Sequence, residues 1–214
     1  MLALAVHLPY IHFLIYNMDP KVPLPVWISN VKRVTTLIDG YPIICEHGWE
    51  AAEPYQKNDF SASLCIRKIS RVTPDKNSFD HIITVSDINQ DGDYPPVVLE
   101  TPLIDTAFDP YIIISTEGNN RKFLKEKYPD YSYRVVYPVT SMRNSIKHIA
   151  GIAGYNLFWE CAYYQIPCTL YPSVWRNDSH ARLEKLGNDP MPPTFTNGAK
   201  EVALAMLQWW FSVI

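Results

Sequence analysis

Residues 150–172 read AGIAGYNLFWECAYYQIPCTLYP. Gly151, Ala153 and Gly154 strip side-chain bulk from the point where the backbone enters a helix, expected over 156–165. The Ile166–Pro167 step closes that helix, because proline cannot continue it, and the apolar run 167–172 follows as a strand. A small-residue turn, a helix and a strand in this order make up most of a βα repeat, the unit from which parallel sheets are built.

The same alternation extends in both directions. Upstream, YIIIST (111–116) predicts a strand, EGNN a turn, and RKFLKEKYP a short helix broken at Pro129; YRVVYPV (133–139) predicts another strand. SMRNSIKHIAGIAG then leads, as short helix or strand, into the glycine turn. Downstream, HARLEKLG (180–187) predicts a helix, and AKEVALAMLQWWFSVI a terminal one. In the first hundred residues IHFLIYN (11–17), YPIICEHG (41–48) and DHIITVSD (80–87) are short β-rich runs ending in polar residues or glycine. Buried parallel strands feeding functional loops have this form. Residues 26–38 are expected as a short helix stopped by Gly40. The segment 91–110 holds acids and four prolines with little helical period, so a linker is placed at 95–109. The division is 1–100 and 101–214.

Bulk properties exclude several classes. Of 214 residues, 47% are hydrophobic and 19% charged, a globular balance. A net charge of −3, with no Lys/Arg block longer than two, argues against a nucleic-acid partner. Cys45, Cys65, Cys161 and Cys168 form no CxxC pair and lie in apolar stretches, which reads as reduced core thiols in a cytoplasmic protein. The apolar start MLALAVHLPYIHFLIY lacks a basic n-region and is interrupted by His7, Pro9 and His12, so it reads as a strand with an apolar lead-in rather than a leader or span.

Small residues ahead of a helix let a ligand approach unpaired N–H groups and the positive end of the helix dipole, a setting that favours phosphate. Six residues after Gly154 stands Glu160, with apolar neighbours on both sides. A carboxylate there needs a partner; a ribose diol, which can donate twice to one carboxylate, is one candidate, and an ion pair or a solvated helix surface is the other.

The run AGYNLFWECAYYQIPCTLYP followed by RNDSHARLEKLG resembles the donor-nucleotide signature of GT-B glycosyltransferases, and within them glycosyltransferase family 28, the MurG type. Gly154, Glu160, Pro167, Pro172 and Gly187 fall in that signature's order, the first four at its spacing; the match covers about 150–187. The resemblance implies a GT-B-like α/β fold of two Rossmann-like parallel-sheet domains, the N-terminal one small and on the acceptor side. It further implies transfer of a sugar from a nucleotide diphosphate sugar, a UDP-sugar, to an acceptor hydroxyl, with no cofactor or metal required. Gly151, Ala153, Gly154 and Tyr155 would face the diphosphate, and Glu160 would hold the ribose. Asn156 would cap the helix or touch a phosphate. Ser115, Gly118 and Asn119 would approach phosphate or sugar from the first loop of the donor domain. Asn177 and Asp178 occupy the segment that contacts the sugar, without the family's glutamine. The uracil position would lie near 139–149. The partner is then a carbohydrate or lipid-linked acceptor, with peripheral membrane association or a partner subunit also in view.

The N-terminal half lacks the glycine-rich, histidine-bearing acceptor loop of that family. This keeps two alternatives open: a non-catalytic nucleotide-sugar binder or subunit needing a partner chain, and a nucleotide-sugar epimerase on the same fold. For a base, CEHGWEA (45–51) offers His47 with Glu46 and Glu50, and SDINQDGD (86–93) offers Asp87 at a strand end. The acids Asp87, Asp91 and Asp93 read either as a solvated loop or as a DxD site bridging a divalent cation to a diphosphate. Trp209, Trp210 and Phe211 are expected to pack the terminal helix on a core, crossing back over the N-terminal domain; an interface or membrane role is the alternative.

Overall fold

The computed structural model describes residues 1–16, 24–36, 38–46, 60–68, 79–88, 91–103, 109–114, 118–133, 139–173, 177–186 and 194–214. His47 and Ser115 lie outside them. The elements begin with α1 (Leu2–Ala5), β1 (Phe13–Tyr16), β2 (Val31–Val34), β3 (Ile43–Glu46), β4 (Ser63–Lys68) and β5 (His81–Val85). There follow β6 (Tyr111–Ile114), α2 (Gly118–Lys127), β7 (Ser132–Tyr133), a 3-10 turn (Val139–Met142) and β8 (His148–Ile152). The chain continues through α3 (Tyr155–Tyr164), β9 (Cys168–Tyr171), α4 (Asn177–Leu186) and α5 (Ala199–Val213). The protein is α/β, and among the described residues every strand pair in three sheets is parallel. Two compact units form: Met1–Asp19, Val26–Val97 and Asn197–Ile214 in the first, Pro20–Pro25 and Val98–Thr196 in the second.

In the first unit β1 pairs with β2, and β4 runs between β3 and β5. The helix expected over 26–38 is absent from its described residues, where β2 stands instead. The cause is Asn30, whose Nδ2 donates to the carbonyls of Ala5, Leu8 and Ile11 at 3.1, 2.8 and 2.8 Å while its own carbonyl accepts from Phe13 N at 2.8 Å. Those bonds tie 30 to the lead-in of β1, and the β-branched pair Val31 and Val34 continues alongside it. That lead-in contains a short helix, α1, packed against α5. The central strand β4 has no counterpart among the sequence expectations. Ser63 through Ile66 are all buried, so the in–out alternation that marks a strand is missing. Ser63, at its start, is satisfied by Asp80, whose Oδ2 accepts from Ser63 N at 2.7 Å and Oγ at 2.8 Å.

The second unit holds a four-stranded sheet in the order β7-β6-β8-β9. Ile112, Ile149, Cys161 and Cys168 pack on the face covered by α3; Ile113, Ala150 and Leu124 pack on the face covered by α2. The stretch Val98–Thr101 is packed, not loose: Val98, Leu99 and Thr101 are buried, and Thr101 N donates to Tyr164 Oη at 2.8 Å.

Candidate functional site

Strand order fixes where a ligand can enter the second unit. After β6 the chain crosses to β7 on one side; after β8 it crosses to β9 on the other. The carboxyl ends of β6 and β8 therefore flank a topological switch point, the place where open parallel sheets bind ligands. Two residues, Ala153 and Gly154, connect β8 to α3 there.

That connection is fully hydrogen-bonded within the chain. Ala153 N donates to Tyr171 O at 2.8 Å, and Gly154 N donates to Ile152 O at 2.6 Å, closing a three-residue turn. Phe158 N donates to Gly154 O at 3.0 Å as the first bond of the helix. The Ala153 carbonyl accepts from Arg182 Nη1 at 2.9 Å. Arg182 is 1% exposed; its Nη2 meets Asp178 Oδ2 at 2.8 Å, and its Cζ lies 5.5 Å from the Tyr155 ring centre. Ser173 N donates to Ser179 Oγ at 2.8 Å, holding the end of β9 to α4.

The two glycines have different physical origins. Gly151 lies inside β8, so the turn is shorter than the sequence suggests. A Cβ at 151 would come 2.5 Å from Leu157 Cδ2 and 3.3 Å from the Ile114 carbonyl; its missing side chain makes room for the helix. Gly154 is the helix N-cap at φ −66° and ψ 153°, a conformation any residue adopts. Among the described residues, a Cβ at 154 would have only the Ile152 carbonyl near it, at 3.9 Å. As a glycine it offers the first-turn amides no side-chain acceptor of its own, which a Ser, Asp or Asn there would supply. Among the described residues neither backbone conformation nor packing demands this glycine.

Matched against known proteins, the chain meets no family model and no curated protein.

Ala153, Tyr155 and Asp178 come together around Arg182, with Gly154 next in the chain to Ala153. Tyr155 is buried, and Asn156 is exposed in the first turn. Glu160 sits about 9 Å along α3 from Gly154 by helix rise and is 4% exposed, among Phe158, Trp159, Cys161 and Ala162. Its charge acts on Cys161, whose thiol is pushed up chiefly by the hydrogen bond it gives Cys168 and by burial, with Glu160 adding to the rise. Cys168 is lowered by accepting that bond, against its own burial. Gly118 opens α2 and Asn119 is exposed beside it; Asn177 opens α4.

Asp87 belongs to the first unit and is 5% exposed, its Oδ1 accepting from Ile88 N at 2.9 Å. The acidic loop folds back on its own strand. Asp93 Oδ2 accepts from Thr84 N at 3.2 Å and Thr84 Oγ1 at 2.6 Å, and Gly92 N donates to Ser86 Oγ at 2.9 Å. Gly92 is required, since a Cβ would lie 2.7 Å from Val85 C. No group of three metal-ligating side chains occurs among the described residues.

Arg182 was invisible to sequence reasoning as a site residue. Its only signal is the acid–base pair Asp178/Arg182 at i,i+4, which ordinarily marks a solvated helix face. A second network lies on the α2 face of the sheet. Tyr131 Oη and Thr169 Oγ1 stand 3.1 Å from His148 Nδ1 and Nε2 respectively, and Tyr128 Oη lies 2.7 Å from Tyr171 Oη. Burial lowers the His148 pKa and raises those of Tyr128 and Tyr131.

Proposed function

We propose that the second unit binds the diphosphate of a nucleotide sugar, a UDP-sugar first, in front of α3, and that the protein is a glycosyltransferase of the GT-B type. The observation that carries this reading is Gly154. Among the described residues it is an N-cap glycine required by neither conformation nor contact, at the start of a helix beside a switch point. A helix N-terminus set at the carboxyl end of a parallel strand suits a diphosphate, and in glycosyl transfer it would stabilise the charge that develops on the departing nucleotide. In this reading Asn156 reaches a phosphate, Glu160 takes the ribose hydroxyls, and the start of α4 with Asp178 lies toward the sugar. His47 is the proposed base for the acceptor hydroxyl.

Asp87 favours a second reading, a nucleotide-sugar binder without transferase activity. Of the carboxylate expected to serve catalysis in the first unit, one oxygen, Oδ1, is taken by the Ile88 amide. Calorimetry of the full chain against UDP-, GDP-, TDP- and ADP-sugars, followed by an assay for nucleotide release with sugar acceptors, separates the readings. Binding with release supports the transferase, and binding alone supports the binder. If none of the four nucleotides binds, the site assignment falls.

A further inference from the structure

Three steps in the chain join an aspartate or asparagine to a glycine: Asp39–Gly40, Asp91–Gly92 and Asn197–Gly198. At such a step the glycine nitrogen can attack the side-chain carbonyl carbon of the residue before it and close a five-membered succinimide. Glycine shields that nitrogen least, because it has no Cβ. Water departs from an aspartate, ammonia from an asparagine, and water then reopens the ring at either carbonyl. One opening gives aspartate. The other gives isoaspartate, in which the main chain runs through the side-chain carbon and the α-carboxylate hangs outside it. The attack requires the glycine N–H to be given up and the turn to deform.

The fold treats the three steps differently. Gly92 N donates to Ser86 Oγ at 2.9 Å, and a Cβ there would lie 2.7 Å from Val85 C. Gly198 N donates to Pro96 O at 2.9 Å, and a Cβ there would lie 2.5 Å from Pro95 O. Ala199 N donates to Asn197 Oδ1 at 3.1 Å, which holds the side chain that would have to be attacked. Both of these amides are engaged, and both glycines are crowded by backbone. Asp39–Gly40 lies in the connection between β2 and β3, and both residues are exposed. Among the described residues no acceptor takes the Gly40 N–H, and nothing lies within 4 Å of where its Cβ would stand. Glycine is demanded here by φ +78°, which side chains rarely adopt, and not by packing. The flanking Ile38 and Tyr41 are 46% and 64% exposed, so a second protein can take hold of the segment on both sides of the step.

We propose that Asp39–Gly40 is the step at which the folded chain converts to isoaspartate, and that the product is a substrate for an S-adenosylmethionine-dependent isoaspartyl methyltransferase. Gly40 N bonds to Asp39 Cγ while the carboxyl hydroxyl and the amide proton leave as water. A second water splits the ring at the α-carbonyl. The sulfonium methyl then passes to the α-carboxylate, giving a methyl ester and S-adenosylhomocysteine. Gly40 N attacks the ester carbonyl, methanol leaves, and the ring closes for another opening. This inference is independent of the nucleotide site.

Ageing the full chain in warm neutral buffer, followed by peptide mapping and by methyl transfer from labelled S-adenosylmethionine with a purified isoaspartyl methyltransferase, tests it. The folded chain gains isoaspartate first at 39, and the label enters the same peptide. In concentrated urea the order inverts, because asparagine closes the ring faster than aspartate at neutral pH and Asn197 is no longer held. Asp39→Glu, which would have to form a six-membered ring, takes up at least tenfold less label with unchanged circular dichroism. Isoaspartate appearing first at 91 or 197 in the folded chain overturns the inference, as does a folded chain unmodified at 39 while the unfolded one reacts there. Step 39 leading in urea as well would show that the fold does not select it, which also overturns the inference. Label unchanged in Asp39→Glu, or isoaspartate at 39 that takes no label, overturns the assignment as a methyltransferase substrate.

Discussion

Arg182 and Ala153, 29 residues apart in the chain, are joined by a 2.9 Å bond from a buried guanidinium to the carbonyl of the turn ahead of α3. The bond fixes the turn from below while Asp178 neutralises the charge at 2.8 Å. Removing one partner of a buried ion pair leaves the other charge uncompensated, at a cost of about 3–5 kcal/mol. Arg182→Met is therefore expected to lose about that much in urea unfolding. Arg182→Lys loses less, but it cannot recover both bonds, since an ammonium lacks the planar fork that reaches Ala153 and Asp178 together. Equal stability of Arg182→Met and the parent would show that the bond contributes nothing.

Gly154→Asp separates fold from function by sign. An aspartate at the N-cap accepts from the first-turn amides and complements the helix dipole, adding a few tenths to about 1 kcal/mol of stability. The same carboxylate occupies the space proposed for the diphosphate and repels it. Thermal unfolding is expected to rise while calorimetric affinity for UDP falls at least tenfold. A rise in stability with unchanged affinity would place the nucleotide elsewhere.

Gly151 and Leu157 form a coupled pair. Gly151→Ala drives a methyl into Leu157 Cδ2, and overpacking of this kind costs about 1–3 kcal/mol. In a Leu157→Ala background the methyl has room, so a double-mutant cycle should show favourable coupling of about 1 kcal/mol or more. Additive losses would instead place the strain on the Ile114 carbonyl at 3.3 Å.

The parallel α/β character was legible because β1, β3, β5, β6 and β9 are compact apolar runs, and α2 to α5 are bounded by glycine, proline or polar residues. What escaped was decided by contacts distant in sequence. Residues 26–38 carry a plausible helix, but the Asn30 side chain reaches three carbonyls of the preceding segment and commits the chain to β2. Strand β4 is buried at every position from Ser63 to Ile66 and so shows no alternation there. The six-residue interval from Gly154 to Glu160 is a feature of the sequence alone, whereas the role of Gly151 depends on where Leu157 falls. Arg182 required knowing that its face of α4 is covered. The acids of 86–93 read from sequence either as a solvated loop or as a cation site; Asp93 serves Thr84, and Gly92 admits the close approach of Val85.

His148 gives the fold a definable pH response. Burial lowers its pKa, so the folded chain keeps the ring neutral, with Tyr131 and Thr169 at its two nitrogens, where the unfolded chain would already take up a proton near the ordinary histidine value of about 6.5. In that window the unfolded state binds more protons, and stability falls as pH drops from about 6.5 toward the lowered folded value, levelling below it. Above 6.5 neither state is charged at this ring, and the contribution does not change with pH. Of the groups facing the ring, Tyr128 and Tyr131 have raised pKa values and stay neutral across the window. Urea midpoints measured between pH 5 and 8 should show this slope, and His148→Gln, which keeps a donor and an acceptor without titrating, should remove His148's share of it. An unchanged slope in His148→Gln would assign the pH dependence to other groups.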